Sequence, residues 1–111
     1  MTGSTPRRWP DDADGAVFLK LQEKGFDFSK SYAIDFTVDF DQWPPAPEAL
    51  KTLAQAYPGL REYVDDETNR GSVIITINSV LDYDLVIEMQ SRLGSMVEAF
   101  GGWCDSWGVL H

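Results

Sequence analysis

The chain has 111 residues, 43% of them hydrophobic and 13% aromatic, the composition of one globular domain and not of a disordered chain. Eighteen Asp and Glu against nine Lys and Arg give a formal net charge of -9, which repels phosphates and argues against direct nucleic acid binding. A single Cys excludes an intramolecular disulfide and a Cys-based metal cluster.

Residues 1–10 contain Pro6 and Pro10 and read as a flexible N-terminal arm, with residues 11–111 as one domain. Arg7 and Arg8 have no apolar stretch behind them, so the arm is not a signal peptide. A helix is expected over about 11–24, capped by Asp11, with Asp12 and Asp14 at the positive end of its dipole. Val17, Phe18 and Leu21, with Ala13, form its apolar stripe, and Gly25 ends it.

Ser31–Phe40 alternates strictly. Tyr32, Ile34, Phe36, Val38 and Phe40 share one face, and Ala33, Asp35, Thr37 and Asp39 share the other. Such a strand belongs in a sheet covered on one side. Asp41–Pro47 breaks it, and a second helix follows over about 47–57 with Leu50, Leu53, Ala54 and Tyr57 on its inner side. Leu60–Asp66 is a weaker strand whose acidic end suits a sheet edge. Thr68–Gly71 reads as a turn with Gly71 taking positive φ. Ser72–Leu81 is almost continuously apolar, as a central strand is. Asp82 or Asp84 caps a third helix over about 83–100, striped by Leu85, Met89, Leu93, Met96, Val97 and Phe100. Gly101-Gly102 stops it, and Trp103–Leu110 is a short last strand.

This order predicts an α+β fold: a ferredoxin-like βαββαβ antiparallel sheet with an extra N-terminal helix. Its first and third strands, the two strongest here, lie at the centre.

The residues offer little chemistry. The one histidine, His111, is the last residue, where a catalytic base lacks rigid support. No Walker sequence, dinucleotide fingerprint or paired metal spacing occurs. The loop Asp41–Pro45 is acidic and repels a phosphate. Asp65, Asp66 and Glu67 read as a hairpin tip, since neighbours on a strand point to opposite faces. Cys104 reads as a small core residue. Trp103, Asp105 and Trp107 share one face of the last strand by alternation, and the two indoles either finish the core or anchor an interface. No enzyme, metal or cofactor is expected.

Two stretches carry a family resemblance. Residues 14–30, Asp14-Gly15-Ala16-Val17-Phe18-Leu19-Lys20-Leu21-Gln22-Glu23-Lys24-Gly25-Phe26-Asp27-Phe28-Ser29-Lys30, precede an alternating strand. Near the end stands Cys104-Asp105-Ser106-Trp107. Over about residues 11–109 the chain resembles the regulator of ribonuclease E activity B family. Asp105 and Trp107 keep its Tyr-Asp-Gly-Trp-like closing strand, while Cys104 and Ser106 depart from it. The resemblance implies a ferredoxin-like fold and an inhibitor that binds ribonuclease E and alters RNA turnover without being a nuclease.

The expectation is therefore a cytoplasmic, non-catalytic regulator with a protein partner, ribonuclease E or another basic protein, and no membrane span. Its acidity serves either solubility or that partner. The expected binding surface is the polar strand face of Asp35, Thr37 and Asp39, joined by Asp105 and Trp107. The alternative is a small-molecule-binding or enzymatic ferredoxin-like domain with a pocket near Trp43, Trp103 and Trp107. A homodimer through an edge strand is a third reading, and oligomeric state stays open.

Overall fold

A computed structural model describes residues 9–109. The elements are α1 (Ala13–Glu23), β1 (Ser31–Phe40), α2 (Pro47–Ala56), β2 (Arg61–Asp65), β3 (Arg70–Val80), α3 (Tyr83–Val97), a 3₁₀ turn (Glu98–Phe100) and β4 (Gly102–Val109). The four strands form one sheet in the order β2-β3-β1-β4, with every neighbouring pair antiparallel. The two strands with the strongest patterns hold the centre, because a central strand needs partners on both edges and cover on its apolar side.

Strict alternation in β1 buries Ile34, Phe36, Val38 and Phe40. They meet Val73 and Ile75 of β3, Cys104 of β4, Phe18 and Leu21 of α1, Ala49 and Leu53 of α2, and Val86, Met89, Leu93 and Val97 of α3. The helices thus cover one face of the sheet. The opposite face is open, and no polar or charged side chain is buried among the described residues.

Several expectations need correction. α1 starts at Ala13, and Asp12, not Asp11, caps it by accepting from the Gly15 N–H at 2.6 Å. Gly15 is required there, because a Cβ would strike the Pro10 carbonyl oxygen. Val17 points to solvent, so Phe18 and Leu21 alone make the buried stripe of α1. In α2 the buried pair is Ala49 and Leu53, with Leu50 and Tyr57 at the margin of the core. In α3 the cap is Asp82, whose Oδ2 accepts from Leu85 N–H at 3.1 Å, and Val86 takes the buried place expected of Leu85.

The β2–β3 turn takes positive φ at Asn69 (57°), since Asn tolerates the left-handed region. Gly71 lies inside β3 instead, beneath the Trp43 indole, where a Cβ would come within 2.6 Å of Cζ2. The loose arm and His111 were expectations for residues that fall largely outside 9–109. Of the arm, Trp9 is placed. Its Nε1 donates to Gln22 Oε1 at 3.0 Å, and its ring sits 4.6 Å from that of Phe18.

The largest correction is in β4. Phe36 pairs with Trp107 and Thr37 with Ser106, but Val38 pairs with Cys104. Asp105 is the extra residue of a β-bulge and has no opposite number on β1. Alternation therefore skips a beat. Trp107 and Cys104 face the core, and Trp103, opposite Asp39, faces the open side.

Candidate functional site

The open face is ordered in rows across the strands. One row reads Tyr63, Ser72, Asp39, Trp103 from edge to edge. The next reads Arg61, Ile74, Thr37, Ser106, and the third adds Thr76, Asp35 and Gly108. Asp35, Thr37 and Asp39 thus stand on one uncovered surface, the one read from the alternation of β1. Asp105 is exposed at the bulge. Trp107 is on the other side of the sheet, its ring 5.3 Å from Phe18 and its Nε1 donating to Asp14 Oδ1 at 2.7 Å.

The carboxylates of this face are held by their neighbours. The Ser72 hydroxyl donates to Asp39 Oδ1 at 2.6 Å. The Thr76 hydroxyl donates to Asp35, and the Arg61 guanidinium lies 3.5 Å from the same carboxylate. Arg70 donates to the Phe40 and Asp41 carbonyls at 3.0 and 3.4 Å. The face is consequently mixed in charge. Cross-strand pairing accounts for part of what the sequence offers as an acidic surface.

Tyr63 (61% exposed) and Trp103 (42%) stand at the two ends of the first row, with small side chains between them. Together with Asp65, Thr68 and Arg70 they border an open hollow of about 280 Å³. The alternation Arg61, Tyr63, Asp65 in β2 could have signalled Tyr63. Trp103 could not be assigned without the bulge. Trp43, Trp103 and Trp107 do not converge: Trp103 is on the open face, and the other two pack against the core.

A denser acidic region lies where α1 and α3 begin. The Tyr83 hydroxyl donates to Asp12 Oδ2, and Gln90 Nε2 donates to Asp14 Oδ2 at 3.2 Å. The Tyr83 hydroxyl is pushed up to about 12 by that bond first, then by burial and by the charges of Asp12, Asp14 and Asp84. Asp12 is lowered, mainly by the Tyr83 hydroxyl and then by the Gly15 N–H. The Cys104 thiol is pushed up to about 11, chiefly by burial, which keeps it protonated near neutrality and a weak nucleophile. Among the described residues no three of His, Cys, Asp and Glu come together as a metal set. No helix among them is long and apolar enough to cross a membrane.

A family model described as regulator of ribonuclease activity B matches residues 11–109. No curated protein matches the chain.

Proposed function

The chain belongs to the regulator of ribonuclease activity B family, and from that premise we propose that it is a non-catalytic regulator that binds ribonuclease E, or a related ribonuclease, as a protein partner. The observation that carries this reading is the family match, which spans all but two of the described residues. The fold is read as the ferredoxin-like split βαββαβ unit, which the strand order β2-β3-β1-β4 supports. The binding surface is assigned to the open sheet face of Asp35, Thr37 and Asp39. Trp103 takes the place first given to Trp107, and Asp105 lies at the margin.

The physical support is the uncovered sheet with two exposed aromatic side chains, the residue type that most often anchors an interface. The protonated Cys104 thiol and the scattered carboxylates suit a binder better than a catalyst. The protein acts in the cytoplasm, and its net charge of -9 speeds encounter with a basic partner segment.

Calorimetric titration with ribonuclease E of the same organism tests the reading, alongside an RNA-cleavage assay. Binding that slows cleavage, with no cleavage by the chain alone, is the expected result. No heat of binding at micromolar concentration and low salt would sink it.

A further inference from the structure

The row Tyr63, Ser72, Asp39, Trp103 crosses the whole sheet. Its ends are three strand spacings apart, roughly 14 Å. Tyr63 and Trp103 both border the hollow, and between them the side chains are short. The resulting trough has a floor made of a carboxylate and the hydroxyl that orients it, Asp39 and Ser72, 2.6 Å apart. Asp65 adds a second carboxylate on the rim, steadied by the Glu67 N–H at 2.9 Å. The one cation of the lining, Arg70, is engaged with the Phe40 and Asp41 carbonyls.

The geometry points to a specific occupant: an arginine or lysine side chain of a partner segment, lodged between Tyr63 and Trp103 over Asp39. This rests on the reading of the chain as a protein-binding regulator. Aromatic faces attract cations through their quadrupole, and a carboxylate beneath adds charge-assisted hydrogen bonding. Two carboxylates against one engaged guanidinium leave the lining net negative. A small-molecule site fits less well, since such sites enclose most of their ligand and this hollow is open. The same rings could stack nucleobases. The carboxylates oppose the phosphates that come with them.

The test is amide NMR on the nitrogen-labelled full chain, titrated with a blocked arginine-bearing peptide. A citrulline peptide of the same shape without the charge, and a single-stranded RNA, serve as comparisons. The arginine peptide is expected to shift the Trp103 indole and the amides of Tyr63, Ser72 and Asp39. Trp103→Ala or Asp39→Asn should weaken it by about three- to fivefold, and Trp103→Phe should restore part of the loss. The spectra themselves report whether each variant folds. Equal response to citrulline or RNA overturns the proposal, as does no shift on these residues. Ribonuclease E titrated against the same variants separates the two readings. Ribonuclease binding unchanged by both substitutions ends the role of the trough and leaves the regulator standing. Arginine-peptide binding without any ribonuclease binding does the reverse.

Discussion

Trp107 donates its indole N–H to Asp14 at 2.7 Å, joining the last strand to the first helix across 93 positions of sequence. The contact closes the helical layer over the end of the sheet, because the same ring lies 5.3 Å from Phe18 in α1. Trp107 is thus a clamp between termini. Trp107→Phe keeps one ring there but loses the hydrogen bond and part of the packing, at a cost of about 1–3 kcal/mol. Trp107→Ala loses the packing too and should cost about 2–4 kcal/mol. Urea unfolding of both variants measures the difference. Equal losses would mean that the ring Phe retains contributes no packing.

Gly71→Ala should destabilise the fold by about 1–3 kcal/mol. The added methyl meets the Trp43 indole and also the Tyr63 carbonyl oxygen at 2.7 Å. Shrinking the indole should relieve part of this clash. The double variant Gly71→Ala, Trp43→Leu should therefore lose less stability than the two single losses combined. Strict additivity in thermal or urea unfolding would contradict the contact.

Asp82→Ala should cost about 1 kcal/mol by uncapping α3, whereas Asp84→Ala should stay within about 0.5 kcal/mol. Asp82 accepts the Leu85 N–H, while Asp84 only complements the dipole of the first turn. Circular dichroism melts of the two variants check the order.

The Tyr83–Asp12 bond makes stability depend on pH at both extremes. For Tyr83 the folded value is raised from 10.0 to about 12. Its contribution is complete below pH 10 and is lost as pH rises toward 12. For Asp12 the folded value is lowered from 3.8. Its contribution is complete above that value and is lost as pH falls through the lower one. In Tyr83→Phe, melting temperatures measured across pH should fall less steeply in the alkaline window. A parallel fall in both proteins would remove Tyr83 as the cause.

Much of the fold is legible in the residues. β1 reads correctly at both ends because burial of one face forces strict alternation from Ser31 to Phe40. α3 starts at Tyr83 as expected but ends at Val97, its last expected turn being 3₁₀; Val86 replaces Leu85 on the buried face, and Met96 and Phe100 are only partly buried. Other features depend on contacts that local pattern does not encode. Asp11 and Asp12 are both acceptable caps, and the choice follows from how Pro10 packs over Gly15. Gly71 has the composition of a turn residue, but the bulk of Trp43 claims it for packing. Of the candidate surface, Asp35, Thr37 and Asp39 are legible as one face of β1. Their hydrogen bonds to Ser72 and Thr76 are not, because those require the register between β1 and β3. Trp103 and Trp107 exchange roles because a bulge is set by pairing with the neighbouring strand.

That bulge divides β4 into two stretches that answer to different demands. Before Asp105, a change at Trp103 reaches the solvent side and leaves the packed interior alone; after it, a change at Trp107 reaches the helices and leaves the solvent side alone. Without the bulge, Asp105 would pair with Val38 and Cys104 with Asp39, turning the Trp103 indole inward and the thiol of Cys104 outward. The irregularity at this one position is therefore as much a constraint on variation as the identity of the residues around it.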